Sequence, residues 1–258
     1  MTLFSANLGF LWPDLALPDR VRAAKAAGFD AVECHWPYDT PAADVAAALA
    51  ETGLKMLGLN TDRGNLAAGE NGLAALVGRE GEARAAIDQG LDYGRAIGAA
   101  NLHVMCGFAS GPAAHDCFVE NLTYACEQAQ KAGMSILIEP LNRHDAPGYF
   151  LSMTGEARRI ITEVNAPNLR LMFDCYHVQR MEGDLSQRLE ELLPLIGHIQ
   201  FASVPERRAP DQGEVAYGHV FKVIRDLGYT APLGAEYKPE GATEDSLGWM
   251  ETLGAPRQ

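Results

Sequence analysis

The stretch Met134-Ser-Ile-Leu-Ile-Glu139-Pro140-Leu-Asn142-Arg143-His144 decides how the rest of the chain is read. Ile136, Leu137 and Ile138 form a short apolar run of the kind found in central parallel strands. Pro140 brings no N–H to a ladder and ends the strand. Glu139 is thereby left at the last rigid position before a polar loop. The pattern returns downstream: Leu169-Arg-Leu-Met-Phe-Asp174 ends in Asp174, Ile196-Gly-His-Ile-Gln200 ends near Gln200, and Pro232-Leu-Gly-Ala-Glu236 ends in Glu236.

Outward from this stretch, further strands are expected over Leu3–Leu8, Phe29–Cys34, Lys55–Asn60 and Asn101–Gly107. Helical spacing is read over Pro18–Ala27, Ala42–Glu51, Glu80–Ile97, Ala113–Ala132, Thr154–Val164, Leu185–Leu193, Tyr217–Leu227 and Glu244–Leu253. Thr154 is the expected N-cap of its helix. Eight strands then alternate with eight helices across 258 residues, with no low-complexity linker. Strict alternation implies a parallel sheet. Eight units in this length imply an α/β fold of one domain, residues 1–258, closed as a (β/α)8 TIM barrel. The runner-up, a Rossmann-like open sheet, lacks the expected G-x-G-x-x-G after its first strand. Residues 61–78 form a long, polar, Gly-rich loop, and a loop of that length in a compact fold is a lid candidate.

The formal net charge is -13, without a basic block. That balance disfavours nucleic acid and anionic membrane partners. No apolar run is long enough to span a bilayer, and no signal peptide opens the chain, so a cytoplasmic protein is expected. The five cysteines are odd in number and include no C-x-x-C pair, so buried reduced thiols are expected. A homo-oligomer is compatible with all of this.

In a barrel of this kind Glu139, Asp174, Gln200 and Glu236 share one mouth. Three carboxylates crowded in a low dielectric repel strongly, and a divalent cation is the simplest neutraliser. All-oxygen ligands suit Mg²⁺ or Mn²⁺ better than zinc, with Co²⁺ also open. Such an ion chelates a carbonyl oxygen and the neighbouring hydroxyl of a substrate and stabilises an enediolate. Glu139 and Glu236, on separated arcs of the ring, suit proton abstraction and redelivery and double as ligands. His177 follows Asp174 in the same loop and can donate to a substrate oxygen, or merely cap the loop. Arg207, beside Arg208, can clamp a substrate carboxylate or lie on the surface. His103 and Glu70 are further candidates for lining the mouth. Glu33 is expected to touch substrate or hydrogen-bond His35, and Asn7 to play a similar part. No Ser-His-Asp ordering and no phosphate-cradling Gly-rich loop occurs, so acyl and phosphoryl transfer lack support.

Several segments together resemble one family. They are Phe4-Ser-Ala-Asn7-Leu, Pro37-Tyr38-Asp39, Asn65-Leu-Ala-Ala-Gly-Glu70, Gly78-Arg79-Glu80, Ile138-Glu139-Pro140-Leu-Asn142, Phe173-Asp174-Cys-Tyr-His177, His198-Ile-Gln200-Phe-Ala and Glu236-Tyr-Lys-Pro239. The set is similar to the hydroxypyruvate isomerase family, within the xylose isomerase-like barrels, and spans nearly the whole chain. The resemblance implies interconversion of hydroxypyruvate and tartronate semialdehyde, a role in glyoxylate metabolism, and Glu139 and Glu236 as the acid/base pair. It also implies a divalent metal on Glu139, Asp174, Gln200 and Glu236. Many related barrels carry His where Gln200 stands, and Gln is a weaker, neutral oxygen donor, so incomplete occupancy is compatible with this set. Some members carry Asp where Ser203 stands. Close relatives act on 2-oxo-tetronates, and ketose 3-epimerases use the same kind of site. Leu141-Asn142-Arg143-His144-Asp145-Ala146-Pro147-Gly148 sides with the hydroxypyruvate members. Two other classes remain for comparison. A barrel endonuclease needs a His-rich zinc cluster and a basic groove, which seven scattered histidines on an acidic chain do not supply. A non-catalytic sugar- or acid-binding barrel would keep its behaviour when Glu139 and Glu236 are neutralised.

Overall fold

A computed structural model of the chain describes residues 2–253. The anticipated domain limits at residues 1 and 258 lie outside the described residues. The apolar runs become short buried strands and the 3.6-residue patterns become the helices around them. In order these are β1 (Phe4–Asn7), α1 (Leu17–Ala26), β2 (Ala31–Glu33), α2 (Ala42–Thr52), β3 (Lys55–Met56), β4 (Gly58–Asn60), α3 (Glu80–Ile97), β5 (Asn101–His103), α4 (Pro112–Ala132), β6 (Ser135–Ile138) and α5 (Thr154–Val164). There follow β7 (Leu169–Asp174), α6 (Cys175–Met181), α7 (Leu185–Leu192), β8 (Ile196–Phe201), α8 (Tyr217–Asp226), β9 (Leu233–Ala235) and α9 (Trp249–Leu253).

Every strand pairing is parallel. The order around the sheet is β3-β2-β1-β9-β8-β7-β6-β5-β4. Its two ends, β3 and β4, are halves of one stretch interrupted at Leu57, so the ring closes to within that residue. This is the (β/α)8 barrel expected, with the third strand bent rather than continuous over Lys55–Asn60.

Alternation along the strands divides two environments. On β8, Ile199 and Phe201 face the helices and join the apolar core, while His198 and Gln200 line the barrel interior. The last described helix, α9, is secured by Trp249, whose ring meets Phe4 at 4.9 Å and Phe201 at 5.4 Å, both edge-to-face.

Several local expectations are corrected. Asp174-Cys-Tyr-His177 is not a loop. Asp174 caps α6, its side chain accepting from the Tyr176 N–H at 2.8 Å. Thr154 is not the cap of α5. That position is Met153, and Glu156 accepts from the Met153 N–H at 3.2 Å. The anticipated last helix is a 3-10 turn at Glu244–Ser246 followed by the short α9. The lid candidate is tied down along its second half, where the Leu73 and Ala75 N–H groups donate to Met105 O (3.2 Å) and Cys106 O (2.8 Å). Its exposed part is the tip around the 3-10 turn Leu66–Ala68. All five cysteines are buried and free. Among the described residues no helix is long and apolar enough to cross a membrane.

Candidate active site

Parallel strands present all their C-terminal ends at one face. Glu139 follows β6, Asp174 ends β7, Gln200 lies one residue from the end of β8, and Glu236 follows β9. All four are buried. Ligand atoms of Glu139, Asp174 and His177 lie within 4.8 Å of one another. Asp174 pairs in register with Gln200, and Gln200 with Gly234, which places Glu236 two residues on. Glu139, Gln200 and Glu236 line one small cavity of about 20 Å³ together with Asn7, Glu33 and His103.

Arg207 enters this group from the loop after β8. Its Nη2 donates to Glu236 Oε2 at 2.9 Å and lies 3.4 Å from Asp174 Oδ2. The guanidinium is stacked between the rings of Phe10 (5.0 Å) and Tyr176 (4.9 Å). Its backbone is left-handed, φ 56°, a conformation that costs a non-glycine residue about 1 kcal/mol or more. The ambiguity between the two arginines is resolved, because Arg208 turns outward to Glu240 at 2.6 Å. Nε of Arg207 is buried without a hydrogen-bond partner among the described residues.

The carboxyl groups respond unequally to this setting. Burial, with Glu236 and Asp174 close by, pushes Glu139 well above the usual carboxylate range. Burial also pushes Asp174 up to about 7, against the pull of Arg207. On Glu236 burial acts in the same sense, but Arg207 and a hydrogen bond from His35 outweigh it and hold the group down at about 2. That hydrogen bond joins His35 Nε2 to Glu236 Oε1 at 2.7 Å. It requires a glycine at position 9, where a Cβ would stand 2.1 Å from His35 Nδ1.

Of the two roles expected of Glu33, the hydrogen bond to His35 is not made. Its carboxylate accepts from Asn7 Nδ2 at 3.0 Å, from Gln200 Nε2 at 2.9 Å and from His198 Nε2. Burial disfavours a charged His198, but Glu33 outweighs it and raises the pKa. Gly234 leaves room for the group, since a Cβ there would come within 2.7 Å of Glu33 Oε1 and 2.8 Å of Gln200 Cγ. A carboxylate only accepts, so the Gln200 amide must point its NH₂ at Glu33 and leave Oε1 free. Gln200 Oε1 and Glu139 Oε1 are both buried without a partner among the described residues. Two orphaned oxygens, with Asp174 within 4.8 Å of Glu139 and Glu236 on the same cavity as Glu139 and Gln200, are a donor set that fits a divalent cation.

The remaining candidates divide. His103 ends β5, and both ring nitrogens are buried and without a hydrogen-bond partner among the described residues, with Nδ1 3.7 Å from Glu139 Oε2. Burial lowers its pKa to about 3, so the ring is neutral. His177 is buried on α6, also lowered to about 3, by burial first and then by Arg207. Glu70 is not brought to the group. It accepts from the Asn65 N–H at 2.7 Å inside its own loop and pairs with Arg79, the N-cap residue of α3. Asn7 serves the interior, accepting from the Gly9 N–H at 2.9 Å while donating to Glu33. The residues that sequence reasoning did not place are His35 as partner of Glu236, His198, and the two rings that hold Arg207. His198 had a signal, being two positions before Gln200 and so on the same face.

The sequence profile of the family described as xylose isomerase-like TIM barrel matches residues 21–253. The 2-oxo-tetronate isomerase of Cupriavidus necator is 43% identical over 97% of this chain and 98% of its own. The hydroxypyruvate isomerase of Escherichia coli is 38% identical over 97% and 99%. A crystal structure from Brucella melitensis, described as an AP endonuclease of family 2, superposes with a TM-score of 0.94 at 39% identity, covering 98% of this chain and 99% of that one. With the barrel, the strand-end carboxylates and these matches in agreement, the chain belongs to the xylose isomerase-like TIM-barrel family.

Proposed function

We propose that this chain is an isomerase of small hydroxy-oxo acids, interconverting hydroxypyruvate and tartronate semialdehyde, with the whole chain as one catalytic barrel. The observation that carries this reading is the convergence of Glu139 and Glu236 on one cavity, with their proton affinities driven in opposite directions. Carboxyl groups split in this way make an acid and a base of two chemically equal side chains. One glutamate removes a proton from the hydroxyl-bearing carbon, leaving an enediolate. The other returns a proton to the former carbonyl carbon, and a proton passes between the two oxygens. The roles exchange in the reverse direction.

Arg207 holds the substrate carboxylate through its spare Nε donor, and this favours a hydroxy-oxo acid over a free ketose, which has no carboxylate. His177 and His103, both neutral, hydrogen-bond substrate oxygens. Glu139, Asp174, Gln200 and Glu236 are the residues that would hold Mg²⁺ or Mn²⁺, which supplies Lewis-acid polarisation of the carbonyl when bound. Five buried free cysteines fit a reducing, cytoplasmic setting.

Relatives carrying both names make 2-oxo-tetronate the second reading. A coupled assay with hydroxypyruvate, 2-oxo-tetronate and free ketoses, each with and without Mg²⁺ or Mn²⁺, ranks them by kcat/KM. Absence of turnover with every small 2-oxo acid defeats the proposal.

A further inference from the structure

His177 Nδ1 faces two donors. The backbone N–H of Asn142 points at it from 3.0 Å, and Asn142 Nδ2 lies 2.7 Å away. The orientation of that side-chain amide is fixed independently. Asn142 Oδ1 accepts from the backbone N–H groups of His144 (3.1 Å) and Asp145 (3.0 Å), and Nδ2 also donates to Asp145 Oδ2 at 3.0 Å. Asp145 Oδ2 is held in turn by the Tyr176 hydroxyl at 2.7 Å, and that hydroxyl takes Arg180 Nη1 at 2.8 Å. A ring nitrogen that meets a backbone N–H must present its lone pair. The proton of His177 therefore sits on Nε2.

Nε2 is the nitrogen that looks into the site, 3.6 Å from Asp174 Oδ2 and 3.9 Å from Glu139 Oε1, beyond hydrogen-bonding distance of both. By proximity alone His177 groups with those two carboxylates as a third metal ligand. A metal needs the Nε2 lone pair, and the proton occupies it. We infer that Asn142 is a positioning residue that locks His177 in the Nε2–H form, which keeps the ring out of the cation's ligand shell and reserves it as a hydrogen-bond donor to a substrate oxygen. The donor role rests on the isomerase reading above; the tautomer and the exclusion from the ligand shell do not.

The test is a long-range ¹H–¹⁵N NMR correlation on full-length protein labelled at histidine, without substrate, with the His177 signals identified by their loss in His177→Gln. The expected pattern is a protonated Nε2 and an unprotonated Nδ1, unchanged on saturation with Mg²⁺. A protonated Nδ1 in the wild type, or loss of the Nε2 proton on adding Mg²⁺, overturns the inference whether or not any variant folds. Asn142→Asp keeps the shape and turns a donor into an acceptor. It sets a carboxylate acceptor against the nitrogen that the backbone N–H holds as an acceptor, so the single tautomer is expected to give way to a mixture of Nε2–H and Nδ1–H, and kcat to fall by ~10–100-fold with a smaller change in KM. Asn142→Ala keeps the backbone donor and is expected to keep the Nε2–H form. A folded Asn142→Asp with wild-type tautomer and kcat also refutes it. The expected tautomer in a protein that turns over no 2-oxo acid would sink the isomerase reading alone.

Discussion

Gln200 Nε2 sits 2.9 Å from Glu33 Oε1, deep inside the barrel, and this contact decides which end of the Gln200 amide meets the mouth. Glu33 is thus an orienting group for a neutral ligand that would otherwise be free to turn over. Glu33→Gln supplies an NH₂ of its own, so the Gln200 amide is no longer held one way round. Mn²⁺ affinity, measured by calorimetry on the metal-free protein, is expected to fall by ~10–100-fold with the fold retained. An unchanged affinity would remove Gln200 from the ligand set.

Arg207 is the chain's own counter-charge to the buried carboxylates. Its guanidinium spans Asp174 and Glu236, and removing one partner of a buried pair destabilises by about 3–5 kcal/mol. A divalent cation can take over that charge. Arg207→Gln is therefore expected to lose much more thermal stability in chelator than in Mn²⁺, and to raise KM for a carboxylate substrate by at least ~10-fold. Arg207→Lys should not restore it, because an ammonium neither stacks between Phe10 and Tyr176 nor forks onto two oxygens. Equal melting losses with and without Mn²⁺ would place the cation elsewhere.

The pieces that could be read from sequence are those whose signal is local. Ile136-Leu-Ile138 before Glu139 and Pro140 is a strand and its stop within six residues, and the same grammar marks Asp174, Gln200 and Glu236. What escaped is set by distant residues. His35 reaches Glu236 because position 9 has no Cβ, a relation across three elements that no window contains. The short α6 has seven residues, barely two turns and too few for a helical period to repeat, and only Asp174 as its cap announces it. Glu70 looked like a mouth residue because a carboxylate in a long loop reads the same whether it faces substrate or, as here, an arginine at the start of the next helix. The break at Leu57 follows from closing a ring, a constraint on the sheet as a whole rather than on Lys55–Asn60.

Acidity gives a stability test with a definite sign. In the metal-free protein Asp174 is raised to about 7, against about 3.9 in an unfolded chain. Between those values the folded state binds more protons than the unfolded one, so this group's contribution to stability declines as pH rises. Glu139 acts in the same direction. Glu236, held at about 2, stabilises above its unfolded value and loses that only as pH falls through ~4.5 toward 2, outside this window. Asp174→Asn retains the helix cap and removes one of the two raised groups. In chelator, its melting temperature minus that of the wild type is expected to grow between about pH 5 and pH 8, by ~2–4 °C for each ~1 kcal/mol. With Mg²⁺ or Mn²⁺ the wild type should instead gain stability as pH rises, because ligands must lose their protons to bind. A melting difference that stays flat across this range would mean that Asp174 is ionised throughout.

Glu139 and Glu236 are separable by what else each one touches. Glu139 has an oxygen without a partner among the described residues, whereas Glu236 anchors both Arg207 and His35. Glu139→Gln should therefore lower kcat by ~10²–10⁴-fold with little change in KM, the expected loss of a proton-transfer group. Glu236→Gln removes the same function and also frees Arg207, so kcat falls as far while KM shifts as well. A substrate deuterated at the hydroxyl-bearing carbon supplies the second readout. Wild-type turnover in ordinary water should wash out deuterium; the variant that lacks the abstracting glutamate should slow washout in step with turnover, and the variant that lacks the returning glutamate should lose turnover while washout continues. If both variants bind a small hydroxy-oxo acid and neither changes kcat, the barrel is a binding protein and the two carboxyl groups serve only to balance charge.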